Sequence, residues 1–371
     1  MEKTKDYRIK LCEPHLGQEE KEAVAETIDS GWIGPNGPHV GLFRRELENY
    51  FGPERQVLLT NSGTSALHLG LMALGVKAGD IVLVQSFSYA APAFAVRYLG
   101  AEPIFIGSEE STWNMDPIYL AKAIEDLKSR GLLHRIKAII PVHIYGNPAN
   151  MMDIDSIAKS HDIPVFEDAA QAFGSVSNRR KVGSGPWLTS FSFNANKVLT
   201  TGGGGAVVSC DSKVINQLEK IANQSKLKSG SYDHDQLGYN YTMTNLNAAM
   251  GRVQLRRIDD LLRKRKDLFE DYTKGLNSYG EFQGELKDSK SNHWMSTILL
   301  RGKVPELFYN SALNIQYGHT FIPLHRTIAF QGSEYYGGEY ELELSKNLLV
   351  LPSGKNVEAN LVIEDVLRKI D

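Results

Sequence analysis

The chain has 371 residues, 42% hydrophobic and 23% charged, with a formal net charge of −3. This is the balance of a soluble globular protein with room for a large core and a smaller domain, and it excludes the basic field needed to neutralise nucleic-acid phosphates. The two cysteines, Cys12 and Cys210, match no zinc or CxxC spacing, so no metal centre is expected and a reducing compartment is.

Residues 1–6 (MEKTKD) are charged throughout, so no leader is expected. From residue 56 strand-like and helix-like segments alternate. Residues 56–60 (QVLLT) form a short apolar run, stopped by Asn61, Ser62 and Gly63. A helix follows, with Ala66, Leu69, Ala73 and Leu74 on its apolar face, ending at Gly75. The most apolar window, 81–99, contains Gln85, Pro92 and Arg97; it reads as a strand (81–84) and a helix (91–99), not a membrane span. Strands are then predicted at 103–106, 137–142 and 164–167, with helices at 117–131 and 153–161. Continuous apolar strands separated by helices predict a mostly parallel sheet covered on both faces. Residues 188–193 and 205–209 flank a loop too short for a crossover helix, so at least one antiparallel strand is expected. From Asn245 apolar residues recur at helical spacing to Leu262, and the basic run 263–266 (RKRK) reads as a solvated helix face. Short strands after Tyr279 and a terminal helix at 357–370 complete an α/β chain, with a large domain over 1–250 and a smaller one over 251–371.

Three loops at the ends of predicted strands carry the chemistry, where ligands of open α/β sheets collect. In the first, Ser62, Gly63 and Thr64 precede a helix; free N–H groups at such a start bind phosphate, although a plain helix cap has the same sequence. In the second, Asp168 follows a buried strand. A carboxylate there is either an N-cap or the partner of a buried cation, such as a protonated pyridine nitrogen. In the third, Lys197 follows Ser192 and precedes four glycines, 202–205. A lysine whose pKa is lowered by its surroundings forms imines, and glycines admit a close backbone approach.

These segments, NSGTSALHLGL (61–71), VFEDAAQAFGS (165–175), SFSFNANKVLTTGGGGAVVS (190–209) and GYNYTMTNLNAAMGRVQL (238–255), resemble the DegT/DnrJ/EryC1/StrS family of pyridoxal-phosphate-dependent sugar aminotransferases, of aspartate-aminotransferase fold type I. The resemblance runs over nearly the whole chain. It implies pyridoxal 5′-phosphate as cofactor and Lys197 as the Schiff-base lysine and proton shuttle. Asp168 then partners the pyridine nitrogen, Gln171 sits beside the ring hydroxyl, and Tyr89 stacks on the ring. Ser62, Gly63, Thr64 and Ser192 hold the phosphate, and Asn240 reaches the phosphate of a neighbouring subunit. A cytoplasmic homodimer with shared active sites follows, as does transfer from an amino acid, L-glutamate, to a nucleotide-linked keto-sugar. Thr112–Met115, Ser291–Trp294 and Leu351–Gly354 point to members acting at C4 of a UDP-4-keto-6-deoxy-N-acetylhexosamine for polysaccharide or glycan synthesis. Thr242, His293 and Gly318 stand where the family commonly has arginines; His319, His325 and Arg326 are candidates to compensate at the substrate. Two rivals are a non-catalytic cofactor-binding or regulatory protein and a sugar dehydratase, a group expected to carry histidine in place of Lys197.

Overall fold

The computed structural model describes residues 7–227, 232–302, 305–309, 311 and 313–370; the charged amino terminus lies outside them. Two helices, α1 (Gln18–Asp29) and α2 (Pro38–Phe51), precede the first strand, a region where the sequence reading proposed no element. On α2, Phe43, Leu47 and Phe51 recur every four residues and are all buried; each such side chain contributes about 1.5–3 kcal/mol.

The alternating region folds as β1 (Gln56–Thr60), α3 (Gly63–Ala73), β2 (Ile81–Gln85), α4 (Ala91–Tyr98), β3 (Glu102–Ile106), α5 (Pro117–Ser129), β4 (Ile136–Ile140), α6 (Met151–Ser160) and β5 (Phe166–Asp168). A small ribbon, β6 (Val176–Ser177) with β7 (Arg180–Lys181), leads to β8 (Leu188–Ser192), β9 (Gly205–Ser209) and α7 (Ser212–Ala222). One sheet-half has the order β1-β9-β8-β5. Parallel bridges Ile139–Val165 and Val142–Asp168 join it to the β4-β2-β3 half. Pairing is parallel except at β9, which runs antiparallel to both β1 and β8. This is the antiparallel strand expected from the short loop. The buried face of α3 (Ala66, Leu67, Leu69) packs with Val82, Val84 and Phe166 of the sheet.

The remaining elements are α8 (Asn245–Arg256), α9 (Ile258–Leu276), β10 (Gly280–Phe282), β11 (Thr297–Leu300), β12 (Tyr335–Tyr336), α10 (Tyr340–Asn347), β13 (Leu348–Val350) and α11 (Ala359–Ile370). The helix read as continuous from Asn245 is two helices, broken at Arg257, where the backbone turns out of helical geometry (φ −100°, ψ 7°). The basic run on α9 is not wholly solvated either. Arg265 is buried, with its guanidinium donating to the Trp294 carbonyl at 3.3 Å. An antiparallel sheet, β10-β11-β13, packs with α9 and α11 around Tyr272, Ile298, Leu349 and Val366. Strand β12 returns to pair in parallel with β3 at the edge of the large sheet. No helix among the described residues is long and apolar enough to cross a membrane.

Candidate active site

A cavity of about 520 Å³ opens where β1, β2, β5 and β8 end. It is lined by Ser62, Gly63, Thr64, Tyr89, Asp168, Gln171, Ser192 and Lys197, which come from four separate loops.

At one end lies the start of α3. Ser62 is its N-cap in extended conformation, and its Oγ accepts from the Ser65 N–H at 3.1 Å. The cap and the cradle are therefore the same structure: Ser62 satisfies one amide while the first-turn N–H groups of Gly63 and Thr64 carry no such cap. A Cβ on Gly63 would fall 2.7 Å from the Ser192 Cβ. The Ser192 hydroxyl can lie beside the helix start only because that side chain is missing. Gly205 supports the same corner, since a Cβ there would be 2.6 Å from the carbonyl oxygens of Phe191 and Ser62.

At the other end Asp168 closes β5, only 3% exposed. Its Oδ1 accepts from the Ala170 N–H at 3.0 Å. Burial pushes its carboxyl above the usual range, while that hydrogen bond, Lys197 and His143 pull it down. Gln171 spends its oxygen accepting from the Tyr145 N–H at 2.6 Å. His143 is fully buried, its Nδ1 accepting from the Ala149 N–H at 3.0 Å, which is a structural task.

Lys197 brings its amine 3.7 Å from the centroid of the Trp294 ring. Burial lowers its pKa to about 8, against the pull of Asp168 and Cys12 in the other direction. Tyr89 is not a core residue. It is 64% exposed, yet lines the cavity beside Phe321, with ring centroids 6.5 Å apart. A large aromatic left in the open at a cavity wall offers a face for a flat ligand.

Other candidates lie elsewhere. The exposed Asn240 is outside this cavity; its carbonyl accepts from the Asn61 side chain at 3.1 Å. His319, His325 and Arg326 do not line the cavity either. The His319 ring lies 3.8 Å from that of Tyr309, tilted by 35°, and His325 stacks on Tyr335 (3.7 Å between centroids). His325 Nδ1 also meets the Ser86 hydroxyl at 2.7 Å, and Arg326 donates to His325 Nε2 at 3.2 Å. All three are thus held by neighbours of their own. The segments read as substrate signals are largely framework. Asn114 donates to the Asn147 carbonyl at 3.1 Å, Asn292 to the carbonyls of Gln171 and Phe173 at 2.9 Å, and Ser353 accepts from the Ser296 N–H at 2.8 Å. A Cβ at Gly318 would lie 2.9 Å from the Leu11 side chain and 3.0–3.1 Å from that of Val350, so a larger side chain would require those neighbours to shift. His293 is stacked on Phe269, 4.0 Å between centroids.

Trp294, the last residue of the Ser291–Trp294 segment, is a cavity wall, and so is Phe321, which no sequence motif singled out. Phe321 reaches the site from a part of the chain far from Lys197, and no local motif marks such a residue.

Proteins with the same architecture and sequence pattern are known. EpsN of Bacillus subtilis (strain 168) is 36% identical over 372 residues, covering 97% of this chain and 95% of that protein. GDP-perosamine synthase of Escherichia coli O157:H7 is 38% identical over 296 residues, or 79% of this chain and 78% of that protein. The crystal structure of S. venezuelae DesV superimposes with a TM-score of 0.86 at 30% identity, covering 95% of this chain and 94% of that one. The fold is therefore the type I fold of pyridoxal-phosphate-dependent transferases. With residues 14–370 matched by the family's sequence model, the chain belongs to the DegT/DnrJ/EryC1/StrS aminotransferase family.

Proposed function

We propose that this aminotransferase moves an amino group from L-glutamate to the keto group of a nucleotide-linked sugar, with Lys197 as the lysine that bonds to the cofactor. Pyridoxal phosphate is the cofactor of the enzyme, and the cavity residues suit it. Asp168 is a buried carboxylate to which a pyridinium nitrogen would bring the missing cation. Tyr89 offers a ring face, and the start of α3 with Ser192 offers phosphate donors. When bound, the cofactor supplies an electron-accepting ring that stabilises a carbanion next to the amino nitrogen.

The observation that carries the reading is one cavity shared by the Lys197 amine, the Asp168 carboxylate and an open helix start. Lys197 would take the proton from the amino-acid α-carbon and pass it to the cofactor carbon bonded to the amino nitrogen. In the second half-reaction it returns a proton to the sugar carbon. An amine whose pKa is about 8 can play both base and acid near neutrality. Asp168 would pair with the ring nitrogen, each charge offsetting the burial of the other.

For the acceptor we take C4 of a UDP-4-keto-6-deoxy-N-acetylhexosamine as the first substrate to test, with GDP- and dTDP-linked 4-keto sugars beside it. We further take the enzyme to be a cytoplasmic homodimer in which Asn240 serves the partner's site.

The test is spectroscopic. Purified protein with pyridoxal phosphate should show a Schiff-base absorption that glutamate bleaches, and borohydride should fix the cofactor to Lys197. Lys197→Ala should lose the band. A band that answers to no amino acid would favour a non-catalytic binding protein, and a reaction confined to 3-keto sugars would overturn the acceptor assignment alone.

A further inference from the structure

Trp294 approaches Lys197 from a distant part of the chain, and its neighbours hold it there. Its ring centroid is 3.7 Å from Lys197 Nζ. Its indole N–H donates to the Asn196 carbonyl at 2.6 Å, on the peptide that leads into the lysine. Its backbone N–H donates to Asn292 Oδ1 at 2.8 Å, and its carbonyl accepts from Arg265 at 3.3 Å. Asn292 is itself tied to the carbonyls of Gln171 and Phe173. Trp294 is 5% exposed, and its indole cannot turn without breaking the bond to the Asn196 carbonyl.

We propose that Trp294 is the positioning residue for Lys197: the ring face holds the free ammonium whenever the lysine is not bonded to the cofactor, and the indole N–H fixes the peptide that carries it. This rests on the role proposed for Lys197. The negative face of an indole attracts a cation, more strongly where water is excluded. A lysine released during the reaction has four flexible carbons and would otherwise swing through a cavity of about 520 Å³. Held over the ring, it stays within reach of the carbon whose proton it must move.

Among the described residues, the titratable groups that act on the amine are the Asp168 carboxylate on β5 and the Cys12 thiol of the amino-terminal segment. Arg265 of α9 stands behind them, 3.7 Å from Cys12 Sγ. Asp168 and Cys12 favour the ammonium, and burial opposes it. The ring adds to the first side without adding a charge. A leucine in its place would fill space but lack that attraction, so packing alone and cation holding make different predictions.

Full-length protein freed of cofactor tests this by two routes. Tryptophan fluorescence followed from pH 6 to 10 should show a step near the Lys197 pKa, absent from both Lys197→Met and Trp294→Phe. In addition, labelling of Lys197 with methyl acetimidate, read by peptide mass mapping, should have its pH midpoint lowered by about one pH unit in Trp294→Leu. Trp294→Phe keeps a ring face and should restore most of that shift. Wild-type and Lys197→Met titrations that superimpose would overturn the proposal even if Trp294→Leu fails to fold, as would unchanged labelling in a folded Trp294→Leu. Borohydride trapping of the cofactor on another lysine would instead remove the role of Lys197, a separate result.

Discussion

The carboxylate of Glu341, on α10, accepts a hydrogen bond from the backbone N–H of Phe87 at 3.0 Å, two residues before Tyr89 on the cavity wall. The same oxygen accepts from the Ser108 hydroxyl at 3.0 Å, and Glu341 is 1% exposed. A helix of the carboxyl-terminal part thereby fixes the loop that presents the ring-facing tyrosine. His325 Nδ1, 3.9 Å from the second carboxylate oxygen, and Tyr335 face it from the other side.

Burial raises the Glu341 pKa to about 7 despite these bonds. A carboxyl that titrates higher in the folded state than in the unfolded chain adds stability below its unfolded value. That stability is lost as pH rises through about 7. Glu341→Gln keeps an acceptor and cannot ionise. Its stability relative to wild type should therefore improve between pH 4.5 and 8, by up to about 3 kcal/mol. Urea unfolding at the two ends of that range checks this; parallel pH profiles would contradict it.

Asp168→Asn should separate stability from function. Asparagine can still accept from the Ala170 N–H but carries no buried charge. The cofactor-free variant should melt above wild type, because burial already disfavours the charged carboxylate. Its kcat/KM for amino transfer should fall by about 10²–10³-fold, the usual loss when one preorganised electrostatic group is removed. Calorimetry and steady-state rates read the two effects independently.

The glycine run offers a paired comparison. A Cβ on Gly205 would meet three backbone atoms at 2.6–2.7 Å, whereas on Gly203 the nearest atom is 4.0 Å away. Gly205→Ala should cost about 1–3 kcal/mol in unfolding measurements and weaken phosphate binding, since one of those atoms is the Gly63 nitrogen. Gly203→Ala should fold normally. Any loss of pyridoxal phosphate affinity in Gly203→Ala would then come from contact with the ligand or a second chain.

Asn292 ties the 291–295 segment to the loop after β5 through bonds of 2.8–2.9 Å to Trp294, Gln171 and Phe173. Asn292→Ala leaves those groups buried without partners, and should lower stability by roughly 2–4 kcal/mol. Chemical denaturation measures it directly.

How much of this was legible in the chain depends on the range of the interaction. The strand–helix alternation, the N-cap at Ser62 and the placing of Asp168 and Lys197 at strand ends are local consequences of side-chain period and turn chemistry. Residues 56–209 reveal them within windows of ten residues. Helix α2 was equally available, with Phe43, Leu47 and Phe51 at a helical interval, but lacks the flanking strands that make such a pattern stand out. Tertiary packing decided the rest. Only the fold turns Tyr89 outward, buries Arg265 against the Trp294 carbonyl and sets that indole over Lys197. It also takes His319 and His325 out of the cavity, because each finds an aromatic face elsewhere. Local periodicity fixes which face of an element is apolar; which distant residue meets that face follows from the packing of the whole core.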